Sequence, residues 1–231
     1  MSADSTTADA DATREARGLP LVAVLLTLTV VSGLIDAVSY LGLGHVFTAN
    51  MTGNVVVLGF AAAGAPGFSV PHTLTSLGSF VAGAAAGGRI AVHLGKGSRR
   101  TWARLTLAAE ALLLGGSSVV ASAAPDATAT IYILIAVTAF AMGLRNATVR
   151  RLGVPDLTTT VLTMTLTGLA ADSRAGGGPG THSPRRTASV VAMLAGAALG
   201  AWLVLHHGLG IPLLVTALVV GALAVTASGR E

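Results

Sequence analysis

The sequence predicts an all-α integral membrane protein: six transmembrane helices plus two short polar segments that are re-entrant or broken, built as an internal 3+3 inverted repeat. Three observations carry this expectation. The 231 residues are 52% hydrophobic and only 10% charged, with a mean hydropathy of +0.75, where a soluble domain carries roughly 25% charged residues. Between Arg17 and Arg89 the sole charge is Asp36. The chain also echoes itself. Gly33-Leu34-Ile35-Asp36-Ala37-Val38 returns as Gly143-Leu144-Arg145-Asn146-Ala147-Thr148. After one inserted residue, Leu41-Gly42, Thr48, Thr52 and Leu58 match Leu152-Gly153, Thr159, Thr163 and Leu169. A third echo reads Ala82-Gly83-Ala84-Ala85-Ala86-Gly87 against Ala195-Gly196-Ala197-Ala198-Leu199-Gly200. Internal repeats in an apolar chain are a construction feature of transporters.

Met1 to Gly18 is polar and acidic, without the basic start and apolar run of a secretory signal. Residues 1–19 are read as a disordered cytoplasmic tail. Eight apolar segments follow, at about Pro20–Leu41, Val46–Gly64, Leu74–Ala91, Trp102–Ala123, Thr128–Leu144, Leu157–Ala171, Ala188–His206 and Leu209–Ala227. A crossing helix needs about 20 apolar residues. The second and sixth segments are short, and their first halves are polar: Thr48-Ala49-Asn50-Met51-Thr52-Gly53-Asn54, and Thr158 to Thr165. The repeats are placed at 20–123 and 128–227, with a flexible linker at 172–187.

Basic residues choose between topologies, because cytoplasmic loops carry the excess of Lys and Arg. Eight crossings with an inner N-terminus would put Arg89, Lys96, Arg99, Arg100, Arg104, Arg145, Arg150 and Arg151 around outer loops, eight of the fourteen basic residues. If the two polar segments instead enter and leave on one side, six helices cross and no Lys or Arg lies outside. Each repeat then has three crossings, so the second copy is inverted. Non-helical backbone at membrane depth survives only when buried in protein or lining a watery cavity, so the polar segments are expected to face each other near the midplane.

The candidate substrate path comprises Asp36, Thr48, Asn50, Thr52, Gly53 and Asn54 facing Asn146, Thr159, Thr163 and Thr165. Hydroxyls, amides and freed backbone replace a solute's hydration shell. The alternative is helix-to-helix hydrogen bonding. For Asp36 the two readings are cation or proton coupling and a structural polar cap. Gly83, Gly87, Gly196 and Gly200 form two small-residue faces for close helix contact, expected to cross within the chain, one from each half, or, as the minority reading, to form a homo-oligomer. Glu110 is expected to pair with Arg104 or Arg89 by snorkelling, with a proton relay as its alternative. His206-His207 is read as a solvated turn. The pI near 10.6 does not point to nucleic acid, because the basic residues sit in short clusters between apolar spans. No cofactor or metal motif is present, cysteine is absent, and enzyme chemistry has no named support.

The run Gly-x-x-Asp-Ala, then Leu-Gly-x-x-Phe-x-x-x-Met-Thr-Gly-Asn, with Asp36, Ala37, Phe47, Met51, Thr52, Gly53 and Asn54 at its fixed positions, resembles the YoaK-like family of small bacterial membrane proteins. Asn146-Ala147 through Thr163 to Leu169 is similar to that family's second motif. There the family commonly reads Thr-Gly-Thr where this chain has Thr163-Met164-Thr165, which weakens the symmetry of the two halves. The resemblance covers about residues 20–227. It implies a bacterial inner membrane and about six helices, and it implies no substrate.

The expected function is therefore a carrier or channel for a small solute or ion, embedded in the lipid bilayer. The rivals are a non-transporting scaffold with a dry centre and a membrane enzyme with a titratable pair in one cavity. Both termini and the loops at 96–100, 150–151 and 174–186 are expected on the cytoplasmic face. Because the chain has no native cysteine, Ser98→Cys provides a unique label site. An impermeant external thiol reagent should leave it unmodified in intact cells and modify it after permeabilisation. External labelling would refute six crossings.

Overall fold

The computed structural model describes residues 21–94, 99–125, 127–152, 162–178 and 183–226. The N-terminal tail, Lys96, Thr159 and part of the linker lie outside them. Among the described residues there are eight α-helices and no strand: α1 (Leu21–Gly42), α2 (Met51–Ala62), α3 (Val70–Leu94), α4 (Arg99–Ala123), α5 (Thr128–Leu152), α6 (Leu162–Ala171), α7 (Ser183–His207) and α8 (Gly210–Thr226), with a 3-10 turn at Arg174–Gly176.

The protein is a helical membrane protein. Leu112, Leu205, Leu194 and Val225 are among many large apolar side chains left on its outside, a surface suited to lipid and not to water. Four helices, α1, α4, α5 and α7, are long and apolar enough to cross a bilayer. Two of the six expected crossings do not meet that standard. The 25 residues of α3 include His72, Thr73, Thr75 and Ser76, which dilute its apolar character, and α8 has only 17 residues. The first polar segment forms a shorter helix than its apolar run suggested, with Asn50 capping α2 by accepting from the Gly53 N–H. The linker expected at 172–187 is also shorter. Helix α7 already begins at Ser183, with Pro184 in the first turn where a missing N–H costs nothing. Pro71 has the same place in α3.

Helix pairing crosses between the halves. The most extensive contacts are α3 with α5, then α1 with α7, then α4 with α8; α2 lies on α3 and α6 on α7. Glycines explain the first two pairs, and the Gly83 and Gly196 faces meet α5 and α1 rather than each other as expected. A Cβ on Gly83 would strike the Phe140 carbonyl, and one on Gly143 the Phe80 carbonyl. In the other pair a Cβ on Gly196 would strike the Val30 carbonyl, and one on Gly33 the Met193 carbonyl. Gly87 meets Leu144 and Ala147; Gly200 meets Leu34 and Ala37. Thus every contact of α3 with α5 named here has its echo in α7 with α1. Side-chain-free faces let two backbones approach closely, which supplies dispersion contact where the hydrophobic effect between helices is weak.

The loops flanking α2 lie against each other. The ring Nδ1 of His45 is 3.0 Å from the Gly67 carbonyl oxygen, and its ring contacts Phe68. The chain therefore leaves the α2 segment beside where it began. Polar ends are tied similarly elsewhere: Arg104 donates to the carbonyls of Ala224 and Val225 at 2.6 and 2.7 Å, neutralising the C-terminal end of α8.

Gly83→Val and Gly196→Val should each destabilise the protein, by about 1–3 kcal/mol for overpacking and by similar amounts, as equivalent crossings require. Gly78 has open space around it, so Gly78→Ala should stay within about 0.5 kcal/mol of wild type. Thermal unfolding in detergent measures all three. Loss confined to one crossing would break the equivalence.

Candidate functional site

Asp36 stands six residues before the end of α1, about 9 Å along the helix at 1.5 Å per residue. Its Oδ1 accepts from three successive backbone N–H groups, those of Thr48, Ala49 and Asn50, at 3.2, 2.8 and 3.3 Å. These amides precede and open α2, so a carboxylate on one helix caps another. The arrangement satisfies donors that lack intrahelical partners and sets a negative charge at the positive end of the helix. Asp36 is 9% exposed. All three bonds go to Oδ1, with none to Oδ2 among the described residues, and Asp36 lines a cavity.

Asn54 does different work. Its Oδ1 accepts from the Phe47 N–H at 2.8 Å, and its Nδ2 donates to the Phe47 carbonyl at 2.6 Å and to Ser76 Oγ at 3.0 Å. Ser76 Oγ donates to the same carbonyl at 2.6 Å. These bonds fix the irregular loop to α2 and α3 and leave the buried Asn54 facing protein. Thr48 is also buried, and its hydroxyl has no partner among the described residues.

The cavity has a volume of about 660 Å3 and is bordered by α1, the first polar segment, the start of α6 and α7. Of the sequence candidates, Asp36, Asn50, Thr52, Gly53 and Thr163 line it. Both polar segments thus contribute to one space. Thr165 is buried on α6, and Asn146 donates to the Met142 carbonyl on its own helix at 2.9 Å; neither lines the cavity. Thr159 lies outside the described residues. Gly53 has a local role as well: a Cβ there would come within 2.7 Å of the Phe47 ring, so the glycine lets Phe47 lie across the first turn of α2. Phe47 in turn stacks on Tyr40, with ring centroids 4.8 Å apart and planes 26° from parallel. Both rings border the cavity.

Glu110 corrects its expectation. It pairs with Arg145, not with Arg104 or Arg89: Arg145 Nε donates to Oε2 at 3.0 Å, and Nη2 donates to Oε1. Arg145 Nη1 also donates to the Leu28 carbonyl and to Ser32 Oγ, both at 3.1 Å. The pair is fully buried and joins α4, α5 and α1. Sequence reasoning counted Arg145 among the flanking cations and missed it as a core residue. The echo held the signal, since Arg145 occupies the place of Ile35, a 1% exposed core side chain. Ser76 and Tyr40 were missed as site-building groups, since only the fold brings them to the polar segment; Phe47 stood in the family motif, but not as a site residue. His206 and His207 end α7, where both rings contact Trp202. Among the described residues no group of His, Asp and Glu suited to a metal ion occurs.

A profile for a family described as a protein of unknown function, DUF1275, matches residues 24–226. The chain is 34% identical over 152 residues to the UPF0700 transmembrane protein YoaK of Bacillus subtilis (strain 168), an alignment covering 64% of this chain and 65% of that protein. It therefore spans slightly less than two thirds of that relative. No solved structure matches.

Arg145→Met should destabilise the protein by about 3–5 kcal/mol, because Glu110 then keeps a buried charge without its partner. Adding Glu110→Leu should recover most of the loss, since an apolar pair of similar volume replaces a buried ion pair at little cost. Melting temperatures of the single and double variants test this. A double variant weaker than Arg145→Met alone would contradict it.

Proposed function

The chain belongs to the DUF1275 family, whose description names no activity, and from the geometry of its cavity we propose that it is a multi-pass carrier or channel for a small solute. One observation carries this reading: both polar segments border a single cavity that Asp36 also lines. A binding site between repeats, formed at interrupted helices, is how many secondary transporters hold their solutes.

The reading includes a topology. Helices α1, α3, α4, α5, α7 and α8 cross a bacterial inner membrane, and α2 and α6 are re-entrant. Both termini are cytoplasmic. The junction of His45 with Gly67 supports a segment that returns to its own side. The matched crossings of α1 with α7 and α3 with α5 support a two-fold relation, which three crossings per half would make an inverted one.

A second reading, a non-transporting scaffold, is favoured by the Phe47–Asn54–Ser76 cluster, whose polar groups are bonded to one another. An enzyme acting through Asp36 and Glu110 has less support, because Glu110 faces Arg145 and does not border the cavity.

Thr52→Cys and Thr163→Cys separate the first two readings without knowledge of the solute. Both are near-isosteric changes on the cavity wall, in a chain with no other thiol. In a transporting protein an impermeant maleimide should reach both positions from outside in right-side-out vesicles and from inside in inverted ones. Reaction from one side only, or from neither, would favour the scaffold.

A further inference from the structure

The size and lining of the cavity narrow what it holds. At about 660 Å3 it falls within the roughly 300–1,000 Å3 of organic-ligand pockets. One water takes up about 30 Å3 of liquid volume, so a bare metal ion would leave most of the space empty. Much of the wall is apolar, including Leu41, Val56, Leu162 and Met193. The polar lining includes Asp36, which accepts from the Asn50 N–H, with Asn50 and Thr52 also on the wall.

Charge narrows it further. Among the described residues, Asp36 is the one ionisable side chain on the wall apart from the Tyr40 phenol, and no described basic residue borders the space. The buried arginine nearest in sequence to the echo of Asp36, Arg145, is committed to Glu110. An anionic ligand would therefore meet a carboxylate with no facing cation. A wholly apolar ligand would displace water from Oδ2 and give it no donor, which costs free energy. A positively charged nitrogen on an apolar body avoids both penalties. Its N–H donates to Oδ2 in a charge-assisted bond, and its charge lies near the stacked rings of Tyr40 and Phe47, whose faces attract cations. Aromatic residues make up only 4% of the chain, which makes two of them beside one carboxylate a distinctive lining.

We propose that this cavity binds an amphipathic organic cation, a protonated amine carried on an apolar body, with Asp36 Oδ2 as its anchor. The proposal rests on the cavity reading above and names its ligand class. The cavity rim fits that class. Leu41 and Val56 are 47% and 52% exposed, and both sit on helices, so the cation passes its apolar body over apolar side chains on the way in.

The test compares three probes of one shape on the purified full chain: 4-phenylbutylamine, 4-phenyl-1-butanol and 4-phenylbutyrate. Thermal shift reads binding, because a ligand specific to the folded state raises the melting temperature with concentration. The amine should stabilise the wild type, and the alcohol and the acid should not. Asp36→Asn keeps an oxygen for the three amides and removes the charge; it should weaken amine binding at least tenfold. Ala201→Phe, which narrows the cavity from α7 and leaves the Asp36 carboxylate in the chain, should do the same and decides the matter if Asp36→Asn does not fold. Equal stabilisation by amine and alcohol, binding of the acid, unchanged amine affinity in the folded variants, or no shift with any probe would overturn the proposal. Two-sided labelling of Thr52→Cys and Thr163→Cys with no amine binding would discard the ligand class and keep the carrier. Amine binding with one-sided labelling would do the reverse.

Discussion

Close contact between backbones at glycine is the constraint on which the bundle depends. Helices in a bilayer gain little from burying apolar surface, since lipid is as apolar as leucine. They hold together where shape permits short distances. Gly33, Gly83, Gly143 and Gly196 make that possible at two crossings, each with a carbonyl of the partner helix where a side chain would begin. The position of α1 against α7 follows, and with it the wall of the cavity, because Gly33 and Met193 belong both to the crossing and to the lining.

Polar groups are placed by a second rule: in a medium without water each needs a partner within the protein. Asp36 offers one oxygen to three amides and so holds the start of α2 against α1. Asn54 and Ser76 close the loop beside it. Arg145 spreads its donors over Glu110, Ser32 and the Leu28 carbonyl, which spans three helices. The bonds to the Asp36 carboxylate all fall on one of its oxygens, while the donors of Arg145 are taken up internally, so the second centre is a joint and the first is where the proposed site lies.

Much of this was legible in the sequence. The echoes named the glycines that later proved to touch carbonyls, because a close crossing dictates residue type directly. The polar run from Thr48 to Asn54 identified the irregular segment for the same reason: lipid tolerates such residues only under special circumstances. Pairing was not legible. Nothing in the order of residues says that α1 packs on α7 and α3 on α5, since an Ala/Gly face fits any other. Nor could the sequence divide the candidates between wall and support. Asn50 and Asn54 are alike in composition, yet one borders the cavity and the other bonds to Phe47 and Ser76, a distinction of a single helical turn. Arg145 was misjudged because a cation near the end of an apolar span reads as a flank until a buried acid is found opposite.

The interleaved pairing also bears on how the chain is made. Synthesis delivers helices to the membrane in order, and domains ordinarily fold as they emerge. Here α1 must await α7, some 140 residues later by the spacing of Leu21 and Ser183 less the helix already inserted, and α3 must await α5. Until then their glycine faces are covered only by lipid. The first half is consequently an assembly intermediate and not an independent unit. Until the second half is in the membrane, the glycine faces of α1 and α3 therefore lack the helices they pack against in the finished bundle.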